Sequence, residues 1–362
     1  MSVVVSKTAK IYIACPANVA TGGPELLHQL AYHIIHDLGL NAFMLYYNYD
    51  CSKYEKPVHS EYKHYGVPYV LEINVSDDNP SNILIVPEVF SALKILENYR
   101  NIRKGIWFLS VDNYYFSRLK KVDFFFQRAI NKLMKVFGKY PIFDIYSQKN
   151  LTSLARKYDY RNDPLLKTAD FYMTNTFRGM QWFKELNPMY YLSEYLNPEF
   201  LKTQPTLSKK EDLVAFNPKK GATFTKKIIS FAKKKRKFER VEFIPIINMS
   251  RSEVINTLLK AKVYIDFGNH PGKDRLPREA AILGCCVITG KRGSAAFYED
   301  VPIPDEYKFE DIEENVPSIV EKIYDCITEF DRRYKDFENY RKIIKYEPQK
   351  FIEDLKKIFT VN

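Results

Sequence analysis

The sequence predicts an α/β protein with parallel sheets, divided into two domains. Three observations carry this. Residues 262–294, KVYIDFGNHPGKDRLPREAAILGCCVITGKRGS, read as strand, polar loop, helix, strand and Gly loop, an alternation that builds parallel pairing. The same alternation runs from residue 10 to about 192 and starts again at 213. The 362 residues exceed what one core usually holds, and a polar stretch with Pro198 and Pro205 separates the two runs. The expected domains are 1–192 and 213–335, with a linker over 193–212. A C-terminal helix over 336–362 could pack back on the first domain.

The elements follow in order. Lys10–Cys15 is apolar enough for a buried strand, and Leu26, Leu27, Leu30, Ala31, Ile34 and Ile35 then recur at helical spacing. Between them Gly22 and Gly23 let the backbone approach a ligand, Pro24 suits a first helical turn, and the N–H groups of the helix start suit an anion. The same residues read equally as a tight strand-to-helix turn, with Glu25 an acid favoured by the helix dipole. Strands are expected at 41–47, 82–87 and 105–111, and a helix at 88–97. Asp112 and Asn113 then close a strand, either as site residues or as a plain turn.

Residues 116–143 are basic and aromatic. Phe125, Ile130, Leu133, Met134 and Phe137 share one helical face, with Arg128, Lys132, Lys135 and Lys139 interleaved. Such a helix either packs on its own domain or lies on an anionic membrane surface. Residues 150–164 read as a long polar loop, 165–174 as a short helix and strand, 176–186 as a helix and 189–192 as a strand.

Leu213–Phe216 opens the second half. It leads through Asn217, Pro218, Lys219, Lys220 and Gly221 to a helix ending in the cationic run 233–237, which suits the helix dipole. A strand at 241–245 and a helix capped by Ser250 or Ser252 come next. Val263–Ile265 is then a strand ending at Asp266. The loop after it carries Gly268, Asn269, His270, Pro271, Gly272, Lys273, Asp274 and Arg275. A helix spans Leu276–Leu283, stopped by Gly284, and a buried strand Cys285–Thr289 runs into Gly290, Lys291, Arg292, Gly293 and Ser294. Ligands of parallel sheets bind beyond the carboxyl ends of the strands, where these loops lie. Helices at 312–330 and 337–359 end the chain.

Net charge is +11, from 55 Lys and Arg against 44 Asp and Glu, which suits an anionic partner. No nucleic-acid motif accompanies the charge, so nucleic acid is not the expected partner. No apolar run is long enough to span a membrane and no secretory leader is read, so a cytoplasmic protein is expected. The five cysteines form no CxxC, and reduced thiols are expected.

Three matches in order along the chain resemble retaining glycosyltransferases of the GT-B class, family-4 type. Gly22-Gly23-Pro24-Glu25 resembles the GG-x-E loop after the first strand, and Lys220-Gly221 the KG of the diphosphate loop. Pro277-Arg278-Glu279-Ala280 with Gly284 and Val287-Ile288 resembles the P-x-E-A helix and its strand. The resemblance implies two Rossmann-like domains facing each other across a cleft. It also implies a sugar moved from a nucleotide diphosphate to a glycan or polyprenyl-linked acceptor in bacterial surface polysaccharide (capsule or O-antigen) synthesis, on the inner face of the cytoplasmic membrane. Departures stand beside it. Glu279 matches the second of two glutamates, but the first falls at Pro271, and no Arg precedes the KG loop.

Such transfer builds negative charge on the leaving diphosphate, to be met by cations and N–H groups. No DxD triplet is present, and neither a metal nor a cofactor is expected. Asn217, Lys219, Lys220, Gly221, Gly272, Lys273, Arg275, Arg278, Gly293 and Ser294 are the candidates for the donor, with Asp266 at the strand end. By resemblance Glu279 receives the ribose hydroxyls; its plainer role is a pair with Arg275. Asp274 is a donor contact or the helix N-cap. Glu25, Asp112 and His270 are candidates for the base that an inverting reaction needs; a retaining one could use the leaving phosphate. The alternatives are a noncatalytic binding protein of the same fold, favoured by the missing first glutamate, and a nucleic-acid-binding protein, favoured by the charge.

Overall fold

The computed structural model describes residues 2–120, 122–137 and 142–362. Lys139 and the side chain of Lys135, both counted in the basic aromatic segment, lie outside the described residues. The chain forms two compact units. One comprises Met1–Leu119, Leu151–Glu194 and Gln349–Asn362; the other comprises Lys120–Asn150 and Tyr195–Pro348.

The first unit holds β1 (Val3–Val5), β2 (Lys10–Pro16), β3 (Asn41–Tyr47), β4 (Tyr69–Val70), β5 (Ile83–Pro87), β6 (Arg103–Phe108), β7 (Phe171–Thr174) and β8 (Met189–Tyr191). Seven of them form one parallel sheet in the order β4-β3-β2-β5-β6-β7-β8. Their near-continuous apolar runs are what a sheet buried on both faces requires: all five residues of β5 are buried. The strand order reverses between β2 and β5, which opens a crevice at their carboxyl ends.

Helix α1 (Gly22–His36) packs on this sheet through Leu26, Leu27, Leu30, Ala31 and Ile34. Gly22 and Gly23 are its first two residues, so neither position requires a positive φ. The strand expected over 105–111 stops at Phe108, and Ser110 caps a short helix α2 (Val111–Phe116) by accepting the Asn113 N–H. Asp112 and Asn113 therefore sit in a first helical turn, not at a strand end. The polar stretch expected as a loop carries a helix over Gln148–Lys157, because Leu151 and Leu154, three residues apart, bury one narrow side of it.

The second unit holds α3 (Phe125–Val136), β9 (Glu211–Phe216), α4 (Ala222–Lys233), β10 (Glu242–Pro245), β11 (Ala261–Asp266), α5 (Arg275–Ile282), β12 (Cys286–Gly290), β13 (Lys308–Phe309) and α6 (Val316–Thr328). Its five strands are parallel, in the order β10-β9-β11-β12-β13, with the reversal between β9 and β11. From Tyr195 on, the stretch expected as a linker belongs to the second unit: Pro198–Lys202 is helical, and buried Lys210 donates to the carbonyls of Leu258, Ala261 and Leu283, each at 2.8 Å. Gly284 stops α5 at φ +89°.

Helix α7 (Glu338–Ile358) changes unit within its length, between Pro348 and Gln349. Strand β14 (Phe359–Val361) follows it and pairs in parallel with β1 in the first unit.

Candidate functional site

In the second unit, the crevice at the strand-order reversal is built from the loops after β9 and β11. Asn217 follows β9 and is buried, and its Oδ1 accepts the Lys219 N–H at 3.0 Å, which shapes the turn. Gly221 then has φ +61°, and a Cβ there would lie 2.1 Å from the Phe267 carbonyl oxygen. Only glycine lets these two loops touch while turning the chain into α4. The first turn of α4 supplies backbone N–H groups beside Lys219 and Lys220, an arrangement suited to phosphate oxygens.

The loop after β11 carries a buried polar relay. Asp266 is 1% exposed; its Oδ2 accepts from the Tyr264 hydroxyl at 2.8 Å and its Oδ1 from the Gly268 N–H at 3.1 Å. The Nε2 of His270, which is fully buried, lies 3.8 Å from Asp266 Oδ1, and its Nδ1 lies 3.3 Å from Asp274 Oδ2. Asp274 Oδ2 in turn meets Lys220 Nζ at 2.6 Å. Asp274 holds the N-cap position of α5 by backbone, but its carboxylate makes no capping bond, because it faces Lys220 and His270. Burial pushes the Tyr264 phenol well above its ordinary pKa, and the nearby Asp266, Asp274 and Glu279 carboxylates add to this.

Asp266, His270 and Asp274 have ligand atoms within 4.8 Å of one another, and among the described residues this is the one His–carboxylate group with metal-ligand spacing. The Lys220 ammonium already supplies a cation to Asp274 there.

The loop after β12 closes on this relay from the other side. Gly293 has φ +59°, and a Cβ would lie 2.1 Å from the His270 carbonyl oxygen, to which Ser294 donates its N–H at 2.8 Å. The hydroxyls of Ser294 and Thr289 are buried with no hydrogen-bond partner among the described residues. Arg292 pairs with buried Asp311 at 2.8 Å. Burial holds Asp311 up at about 7 in spite of Arg292, with Glu310 and Asp266 adding to the effect. Neither Arg292 nor Asp311 is among the residues singled out from the sequence. Asp311 lies just past a two-residue strand too short to read.

Two cations expected at the donor are committed elsewhere. Lys273 Nζ meets Glu347 Oε1 at 2.7 Å, and Arg278 Nη1 meets Glu347 Oε2 at 3.0 Å, with all three side chains nearly excluded from solvent. Arg278 also donates to the Lys273 carbonyl at 3.1 Å. Together they tie the loop after β11 to α7, a structural task. Glu347 carries a signal in the sequence: it falls on the apolar row Tyr340, Ile344, Phe351 of α7, where an unpaired acid would be costly. Arg275 begins α5 and is partly exposed, Gly272 is buried without a positive φ, and Glu279 is 7% exposed on α5.

In the first unit the crevice between β2 and β5 places Gly22, Gly23 and buried Glu25 at the start of α1. Asp112 is no open base: Arg178 Nη2 meets its Oδ1 at 2.7 Å, both side chains nearly fully buried. Asn113 is exposed, with its side chain near Glu88. Glu88, missed in the sequence although it follows SNILIVP directly, sits fully buried at the end of β5. It accepts the Leu109 N–H at 3.0 Å, and burial raises it to about 7. His28 is also buried, with Nδ1 2.6 Å from the Pro24 carbonyl and Nε2 2.7 Å from the Tyr46 hydroxyl; burial lowers it to about 4, so it is neutral at pH 7.

No protein-family model and no curated protein sequence matches the chain. Solved structures do. Sucrose-phosphate synthase from Thermosynechococcus elongatus aligns at TM-score 0.61 and 12% identity over 95% of this chain and 97% of that one. HepE of Anabaena in complex with UDP-glucose aligns at 0.57 and 11% over 96% and 98%. The catalytic domain of starch synthase IV from Arabidopsis thaliana, bound to ADP and acarbose, aligns at 0.54 and 9% over 97% and 100%. The chain has the GT-B fold.

Within this GT-B chain the second unit brings Asn217, Lys219, Lys220, Gly221, Asp266, His270, Asp274, Gly293 and Ser294 into one connected set of loops. Lys273 and Arg278 border that set but face Glu347. Glu25, Asp112 and Asn113 belong to the other unit.

Proposed function

We propose that this protein is a glycosyltransferase that moves a sugar from a nucleoside diphosphate to a glycan or lipid-linked acceptor in bacterial surface polysaccharide synthesis. The observation that carries the reading is the Lys219-Lys220-Gly221 turn at the strand-order reversal. It puts two lysines directly before the first turn of α4, with a glycine that the close approach of the loops demands. In this reading the diphosphate lies on that helix start and displaces Asp274 from Lys220. Charge growing on the leaving phosphate is met by Lys219, Lys220 and Arg292, with the Gly293-Ser294 loop beside them, without a metal. Glu279 receives the ribose hydroxyls, as the family resemblance implies. HepE, solved with UDP-glucose, and starch synthase IV, solved with ADP, support the donor class.

His270 takes the place beside the missing first glutamate. Fully buried between Asp266 and Asp274, it positions the loop in this reading and is not the base. In the first unit Glu88, raised to about 7, can exchange a proton at neutral pH, whereas Asp112 is paired with Arg178. The test is release of free nucleoside diphosphate from UDP-, GDP-, ADP- and dTDP-sugars, with and without lipid-linked acceptor. A donor turned over by wild type and not by Lys220→Ala supports the reading. No turnover of any donor, with nucleotide still bound, favours a noncatalytic binding protein, the reading that Pro271 and the Glu347 pairings support.

A further inference from the structure

The apolar row of α3 faces solvent. Phe126, Ile130, Leu133 and Phe137 recur at i, i+4, i+7 and i+11 and are 78%, 40%, 55% and 68% exposed. Phe125 and Val136 flank the row at 61% and 75%. Other exposed large apolar residues, such as Val4, Leu71 and Ile312, are scattered along the chain. An uncovered row of this kind marks an interaction surface, whereas single exposed residues need no explanation.

Among the described residues none covers the row. Asn131, on the polar side of α3, accepts the N–H groups of Ile142 and Phe143 at 3.0 Å each and donates to the Phe143 carbonyl at 2.8 Å. Residues 142 and 143 are thus tied to the polar flank. That flank also carries Arg128 and Lys132, so the helix is apolar on one side and cationic on the other.

Charge selects the occupant. Residues 120–150 contain seven Lys and Arg against two Asp, a net +5. Packing this row against the same row of a second copy would bring two such fields together at close range. An anionic bilayer offers both an apolar layer and negative headgroups. Among the described residues no helix is long and apolar enough to cross a membrane, so the helix would lie on the surface.

We propose that α3 lies in the interface of an anionic lipid bilayer, with Phe126, Ile130, Leu133 and Phe137 immersed and Arg128 and Lys132 at the phosphates. This assignment does not depend on the transferase reading. The test is flotation of the full chain with vesicles of phosphatidylcholine alone or mixed with phosphatidylglycerol, at low and high salt. The expected result is binding to the anionic vesicles about tenfold or more above neutral ones, weakened by salt. The triple variant Phe126→Ser, Leu133→Ser, Phe137→Ser should lose about tenfold or more with unchanged melting temperature. The pair Arg128→Glu and Lys132→Glu should lose a similar factor on anionic vesicles only, which keeps the test decisive if the triple variant folds poorly. Absence of wild-type flotation would overturn the proposal. So would equal flotation of wild type and both variants, or a wild-type dimer that the serine variant dissociates and that ignores vesicles.

Discussion

The ammonium of Lys220 lies 2.6 Å from Oδ2 of Asp274, so the residue proposed to bind phosphate is held by an internal carboxylate. The Lys220 side chain retains 33% of its exposure and Asp274 15%, so an incoming anion can compete for the cation. Removing each partner should therefore act in opposite directions. Lys220→Ala should weaken nucleoside diphosphate binding by about tenfold or more, the cost of a charge-assisted contact. Asp274→Asn should strengthen it by a few-fold, about 1 kcal/mol or less, because the competitor is neutral. Isothermal titration of both variants checks this; equal losses in the two would contradict it.

Glu347 joins two cations inside the second unit, and its removal strands both. Glu347→Ala should cost about 3–5 kcal/mol of stability, the usual penalty for breaking a buried pair, read from urea unfolding. Glu347→Gln should cost less, since an amide still accepts from Arg278. A loss below about 1 kcal/mol in the alanine variant would show that water reaches the site and that Lys273 is available to ligand.

Two glycines that look alike in the sequence should respond oppositely. Gly221→Ala forces a side chain to φ +61° and against a backbone oxygen 2.1 Å away. It should destabilise by about 2 kcal/mol or more and displace the phosphate turn. Gly23→Ala, inside α1 with only Leu109 Cδ1 at 3.6 Å, should be neutral or stabilise by up to about 1 kcal/mol. Thermal melts of the two variants decide the matter.

The pH dependence of stability should carry the mark of Glu88. Its pKa is raised from 4.5 to about 7 in the folded protein, so the folded state binds the proton more tightly than the unfolded chain. The linkage sign then makes stability fall as pH rises from about 4.5 to 7, by an amount on the order of 2–3 kcal/mol for this group. Glu88→Gln should flatten that fall, gaining on wild type at pH 8 relative to pH 5. An unchanged difference between the two pH values would show that Glu88 ionises freely.

The sequence made the core of the second unit readable, because Val263–Thr289 is a local pattern: an apolar strand, a short helix stopped by Gly284, and a second apolar strand. Gly221 and Gly293 were equally legible as loop glycines, and their φ values of +61° and +59° give the reason for that residue type. What stayed hidden is set by distant partners. Arg278 and Glu347 are 69 residues apart, and nothing local in the loop after β11 reveals that Lys273 and Arg278 face inward. Asp112 reads as a strand-end acid until Arg178, far along the chain, is seen against it. The helix at Gln148–Lys157 was missed because only Leu151 and Leu154 are buried, too little apolar pattern to outweigh its polar composition.

The most direct test of the account is the melting temperature of wild type, Lys220→Ala and Glu279→Ala with UDP, GDP, ADP, CMP and dTDP in turn. A bound nucleotide stabilises the native state by about 2.7 kcal/mol at a hundredfold excess over Kd. The account predicts that one nucleoside diphosphate raises the melting temperature of wild type and leaves both variants nearly unmoved. No response to any nucleotide, or the same rise in all three proteins, would contradict a donor site at the Lys220 turn.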